Sequence, residues 1–360
     1  MNTTKQPYGS TPDHRLTERE REILRLVVKN FVETAGPVGS RYLAKHSNIG
    51  LSPASIRNTM SDLEDYGYLE HPYTSAGRIP TDLGYRAFVD SLMGSPALSE
   101  AEKQTLLSEL ERLVGNPDDV LREASRLLGR LSNMLGVVLS PKLSAGILER
   151  MEVVPLSSSR LMFVVSVQGG LVKTIVLEMQ SELRRDDLDR VVDLLNERLA
   201  GLTLEEVRRT YESRVRDLTD DRDGVVRLVL KEGSILFSDP AEARRLQVAG
   251  THHIIQQPEF QEPADLRGLI SMLEDEDFVV HLLEDRQIDT AVGPCHAVIS
   301  IGREHSDEKA ERYSIVSARY QIGQTVGTLG IIGPMRMDYA RMIALVEHMA
   351  MFLTRTDEAR

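Results

Sequence analysis

The sequence predicts an α+β protein of several domains, in which a small N-terminal domain of helices closed by a β-hairpin precedes an α/β body carrying a helical insert. Three observations predict it. The 360 residues exceed the roughly 150 that one domain usually takes. Helical periodicity dominates the first 93 residues and gives way there to short β-prone runs around a Gly-containing turn. Two groups of β-branched apolar runs, near 151–180 and 295–334, are separated by a charged helical stretch, as when one domain interrupts another.

Residues 1–15 are polar and unpatterned, and are expected to form a disordered arm. Thr17 and Glu20 then stand in capping-box spacing before an apolar face of Ile23, Leu24, Val27, Val28 and Phe31, and Gly36 and Pro37 end that helix. Ser40 is placed to cap a short helix, "RYLAKH". Ser52 at the N-cap and Pro53 at the first helical position open a third helix, because proline there forgoes an N–H that no helical carbonyl would use. Its buried stripe is Ile56, Met60 and Leu63, and Gly67 suits a left-handed terminator. Tyr68 to His71 reads as a strand, "PYTSAGR" as a turn with Gly77 at its tip, Ile79 as the returning strand, and Thr81 to Met93 as a last helix.

From Ser99 the helices lengthen, with a second capping box at Ser99 and Glu102 and a new start at Asn116-Pro117. Leu121, Ala124, Leu128, Leu131 and Leu135 alternate spacings of three and four, which suits helix packing within the chain or across a dimer. Residues 150–179 read as a three-stranded antiparallel meander that begins a sheet, and three more strands run from Cys295 on, before a helix from Asp338 to Leu353. The expected boundaries are 16–95 for the N-terminal domain, 96–185 with 259–360 for the α/β domain, and 186–258 for the insert.

The formal net charge is -12, yet residues 1–93 hold 11 Lys/Arg and 11 Asp/Glu, so the acid excess lies entirely in the body. An acidic body is repelled by phosphates, which confines any nucleic-acid contact to the N-terminal segment. A single cysteine, Cys295, and the absence of an apolar leader point to a reducing, cytoplasmic setting. No run of about 18 apolar residues suggests a membrane span. The absence of Trp weighs against a base-stacking surface for single strands.

Three helices followed by a small hairpin are the pattern of a winged helix-turn-helix, whose later helix enters the major groove. Arg57 and Asn58 lie within two turns of that helix's start, where Arg can fork onto guanine and Asn onto adenine. The alternative for Arg57 is a surface ion pair with Asp62 or Glu64. Ser52 and Ser55 in the first turn are candidate phosphate ligands, besides the capping that Ser52 performs. Ser75, Gly77 and Arg78 are expected to form a flexible wing tip with one cation, and Ser40 and Arg41 to hold the backbone opposite.

Nothing comparable supports catalysis. Cys295, His252, His253 and His281 are scattered without a metal-binding spacing, so no metal, cofactor or catalytic residue is expected. Gly323, Gly327, Gly330 and Gly333 lack the Lys-Ser/Thr of a phosphate loop and read as turns and close-packed strand positions.

The stretches "LTERE", "SPASIRNTMSDLEDYGYLEHPYTSAGRIPTDLGYRAFVD" and "LGIIGPMRMDYARMIALVEHM" resemble the HrcA family of bacterial heat-inducible transcription repressors over nearly the whole chain. The pattern departs from that family at Tyr73, where His is frequent, and at Leu83, where Lys is frequent. The resemblance implies a homodimer that binds an inverted-repeat DNA operator, CIRCE, upstream of chaperone operons, with relief on heating through the chaperonin GroEL. It also implies a GAF-like fold for the α/β domain and a dimerisation role for the insert. Two alternatives stay open: a regulator responding to a small molecule in the GAF-like domain, and an enzyme with an accessory winged helix.

Overall fold

The computed structural model describes residues 16–73, 76–110, 112, 117–178, 185–220, 225–238, 245–284 and 293–358. The arm at 1–15, Ser75 and Asn116 therefore lie outside the described residues. Helix α1, Glu18–Thr34, starts at the expected reciprocal box: Thr17 Oγ1 accepts from Glu20 N, and Glu20 Oε2 accepts from Thr17 N at 2.7 Å. It ends one residue before Gly36, at Ala35 with φ 53°. Helix α3, Pro53–Asp65, packs on it, and α2, Ser40–His46, packs on α3, with Leu43, Ile56, Met60 and Leu63 buried in the shared core. Strands β1, Leu69–Glu70, and β2, Ile79–Pro80, form an antiparallel hairpin. Helix α4, Asp82–Ala87, continues as one π-helical turn, Phe88–Leu92.

Beyond this head, α5, Glu100–Leu110, opens at the expected Ser99–Glu102 box, and α6 spans Pro117–Ser132. Strand β3, Leu135–Leu139, then departs from expectation, since Leu135 belongs to it and not to the helical seam. Asn133 turns left-handed at φ 56° and ends the helix. Gly136 then lets β3 lie against α6, because a Cβ there would meet Ser125 O at 2.2 Å. Leu121, Ala124 and Leu128 are buried inside this chain, as an ordinary intrachain stripe.

The meander forms as expected from β4, Leu148–Pro155, β5, Arg160–Val167, and β6, Leu171–Glu178. It makes its own three-stranded sheet, however, and does not pair with the C-terminal strands. It packs instead on α7, Arg185–Leu199, which is followed by α8, Leu204–Val215, and α9, Val225–Leu236. Asn196 of α7 both accepts from Met151 N, at 2.7 Å, and donates to Met151 O, at 2.8 Å. The expected boundary at 186 thus runs between elements that are packed together. Alternation decides which sheet face is covered: Met151, Phe163, Val165 and Val167 are buried under the helices, whereas Val154, Val172 and Val176 on the other face are exposed.

The second sheet has five strands in the order β7-β3-β10-β9-β8, all antiparallel. Its further members are β7, Leu246–Ala249, β8, Ala297–Ile301, β9, Tyr313–Ile322, and β10, Thr325–Pro334. Strand β7 falls inside the stretch expected to be a helical insert, so that stretch contributes to this sheet as well. One face is covered by α6 and α13, Tyr339–Glu358. The other is covered by α10, Thr251–Ile254, α11, Pro263–Glu274, and α12, Glu276–Glu284. Gly327, Gly330 and Gly333 occupy close-packed positions on β10, and Gly323 makes the turn before it at φ 57°. Among the described residues no helix is long and apolar enough to cross a membrane.

Candidate nucleic-acid interface

Helix α3 is pinned at both ends by its own sequence. Ser52 Oγ accepts from Ser55 N at 3.2 Å and Pro53 occupies the first helical position, so the start is fixed where the polar face begins. At the other end Gly67, at φ 80°, donates to Glu64 O, and Tyr68 N donates to Leu63 O, the paired bonds of a Schellman turn. Between them Ile56, Thr59, Met60 and Leu63 face the core, which turns Arg57, Asn58, Ser61 and Asp62 outward. Neither the Arg57 nor the Asn58 side chain has a hydrogen-bond or ion-pair partner among the described residues. The alternative partners are unengaged with Arg57, since Glu64 is held by Arg78 and His71.

Arg57 borders a groove of about 600 Å³ between α2, α3 and the segment before β2, lined also by Gly39, Ser40, Arg41, Gly77 and Arg78. Three guanidinium groups and no carboxylate line it, which makes it locally cationic within an acidic chain. Arg41 is exposed at the start of α2. Ser40 differs from expectation: Gly39 is the N-cap, no side chain caps the helix, and Ser40 is a buried first-turn residue.

The hairpin turn also differs from expectation. Gly77 is no flexible tip but a contact point, because Val38 and Arg78 exchange backbone bonds of 2.9 Å each way, and a Cβ on Gly77 would lie 2.4 Å from Val38 O. The turn itself is closed by Ala76 N donating to Tyr73 O. Ser75, expected at the tip, falls outside the described residues. Arg78 is three-quarters buried, its Nη2 donating to Glu64 Oε2 at 2.6 Å, and its Nε is buried without a partner. Glu64 therefore ties the hairpin to α3, with His71 Nδ1 on its other oxygen.

One further residue, Arg19, is not signalled by the pattern of α3 or the hairpin. Arg19 reaches across from α1 to donate through Nη2 to Ser55 O at 2.8 Å and to Ser55 Oγ at 3.1 Å, beside the first turn of α3. A cation in the first turn of a helix opposes the helix dipole, and that misfit was the available signal. Tyr73 is 62% exposed at the turn, the position at which the sequence departs from the pattern it resembles.

Residues 118–343 match the HrcA protein C terminal domain family. Over 342 residues the chain is 44% identical to the heat-inducible transcription repressor HrcA of Chlorobium phaeobacteroides strain BS1, covering 94% of this chain and 97% of that one. The chain belongs to the HrcA family. The HrcA of Chlorobium luteolum is 46% identical over 350 residues, covering 95% and 97%. A crystal structure described only as a hypothetical protein superposes with a TM-score of 0.64 at 27% identity, covering 96% of this chain and 99% of that one. HrcA relatives are named for transcription repression, a regulatory role without an enzymatic step.

Proposed function

We propose that this HrcA-family chain is a homodimeric, heat-inducible repressor whose head is a winged helix-turn-helix that lays α3 in the major groove of an inverted-repeat operator. One observation carries the reading: Arg57 and Asn58 stand exposed and unpartnered on the first two turns of a doubly pinned helix, beside a groove whose charged lining residues are all arginines. Arg57 then forks onto guanine and Asn58 onto adenine. Ser52 and Arg41 contact phosphates, and Arg19 steers Ser55. Arg78 acts chiefly by seating the wing on Glu64.

A charge-balanced head gains little from non-specific attraction, so affinity depends on presenting two heads at once. The outer face of the three-stranded sheet, on which Val154, Val172 and Val176 are each at least 39% exposed, supports that sheet as the dimer surface. On this reading the inserted dimerisation unit comprises β4–β6 with α7–α9, and the five-stranded sheet with its helices is the GAF-like unit. The operator is CIRCE and the controlled genes are chaperone operons, as the family resemblance implies. Heat relief runs through GroEL: a body whose β3 and β10 pair across nearly two hundred residues folds slowly and depends on assistance.

Footprinting the protein on DNA upstream of chaperone operons tests the operator. A gel-shift time course after mild heating, with and without GroEL and ATP, tests the relief; persistence of binding regardless of GroEL contradicts it. A second reading, response to a small molecule, is favoured by a cleft of about 640 Å³ between head and body that is lined by Phe31, Tyr85, Phe260, Tyr313 and Arg336. The Tyr85 hydroxyl there is buried without a partner. A thermal-shift screen with metabolites distinguishes the two.

A further inference from the structure

The head does not hang from a flexible tether. Helix α4 is welded to the base of α3 and the wing: Thr81 N donates to Tyr68 O, Thr81 Oγ1 donates to Gly67 O at 2.6 Å, and a Cβ on Gly84 would lie 2.2 Å from Tyr68 O. Whatever holds α4 therefore orients the recognition face.

What holds it is the turn that follows β8. Asp82 and Arg86 lie one helical turn apart on the same face of α4. Asp82 Oδ2 accepts from Arg303 Nε at 2.8 Å and from Arg303 N at 3.1 Å. Arg86 forks onto Glu304, Nε to Oε1 at 2.6 Å and Nη2 to Oε2 at 2.5 Å, and also donates to Ile299 O at 3.0 Å. The turn is itself stiff, since Glu304 Oε2 accepts from Ile301 N at 2.9 Å. Gly302 sits at φ 54°, where a Cβ would come within 2.7 Å of the Asp82 carboxyl carbon. A third point lies across the cleft, where Arg336 donates to Val32 O at 3.0 Å while paired with Glu259.

Acid-then-base on the head thus meets base-then-acid on the body. We infer that Arg303 and Glu304 are positioning residues for operator recognition: by fixing α4 they set the angle and separation of the two recognition helices in the dimer, and so the half-site spacing that is read. The inference rests on the dimeric-repressor reading above. One base pair of spacer rotates a half-site by about 34° and moves it about 3.4 Å, a displacement that a rigid pair of heads resists and a loosened pair absorbs.

The test measures full-length protein by fluorescence anisotropy on inverted repeats with the native spacer and with one or two base pairs added or removed, and on a single half-site. Wild type should lose at least about tenfold in affinity per altered base pair, and R303A/E304A about threefold or less, with half-site affinity within about twofold of wild type. R86E should behave like R303A/E304A, and R86E/E304R should recover the discrimination. R303A alone supplies the same readout if the double variant fails to fold, because the Arg303 side chain is 59% exposed. Undiminished spacer discrimination in the latch variants overturns the inference while leaving the repressor reading intact. Tighter binding of those variants at every spacer also overturns it, by making the latch inhibitory. A wild-type protein that prefers no inverted repeat overturns both.

Discussion

Replacing Glu64 by Ala should loosen the wing without unfolding the head. Glu64 Oε2 lies 2.6 Å from Arg78 Nη2, and the two side chains are 21% and 23% exposed. Exposed pairs contribute about 0–1 kcal/mol, whereas removing one partner of a fully buried pair costs about 3–5 kcal/mol. A pair about three-quarters buried falls between, at about 1–2 kcal/mol. The cost should concentrate in the wing, because Arg78 Nε has no partner of its own and the backbone of Arg78 is paired with Val38. Native-state hydrogen exchange reads this directly at the Arg78 and Val38 amides, which should exchange about 5–30-fold faster. The amides of Ile23 to Val28 in α1 should be unaffected. Replacing both partners, E64M/R78M, should return most of the protection, since no charge is then left buried. Unchanged exchange at Arg78 in the single variant would refute the claim that Glu64 seats the wing.

Gly77→Ala places a Cβ 2.4 Å from Val38 O, and backbone there can yield only by breaking the Val38–Arg78 bridge; a loss of about 1–3 kcal/mol in urea unfolding is expected. The Glu102 carboxyl is held down at about 2 against the opposing effect of burial, first by the Ser99 hydroxyl, then by the Ser99 N–H and by Arg341. A depressed carboxyl contributes stability fully present above its ordinary 4.5 and lost as pH falls toward about 2, so Glu102→Gln should narrow its gap from wild type across that window in acid-unfolding curves. If the three-stranded sheet forms the proposed dimer surface, Val176→Asp on its exposed face should weaken self-association at least about tenfold in sedimentation equilibrium with unchanged circular dichroism.

What could be read from the sequence was local chemistry. The boxes at Thr17 and Glu20 and at Ser99 and Glu102 stand where the spacing put them, because a cap is decided by residues three apart. The polar face of α3 followed from periodicity for the same reason. Partner choice between strands was not legible. Both groups of β-branched runs look alike, and what separates them is distant packing: Asn196 binding Met151, and Gly136 and Gly129 admitting α6 against β3 and β7. The site shows the same division. Arg57 and Asn58 were placed outward by helical phase, but the pairing of Arg78 with Glu64, fourteen residues earlier, and of Arg19 with Ser55, 36 residues away, was not legible.

The central claim, that α3 reads base edges through Arg57, is tested most directly by one ratio: the affinity of full-length Arg57→Ala for operator divided by its affinity for a scrambled duplex of equal length, at one salt concentration. An exposed side chain without a partner contributes little to folding, so the thermal melt should match wild type. The ratio should fall by about 5- to 150-fold, the equivalent of about 1–3 kcal/mol for a bidentate base contact. A ratio equal to that of wild type, in a protein that melts normally, would contradict the placement of this helix in the major groove.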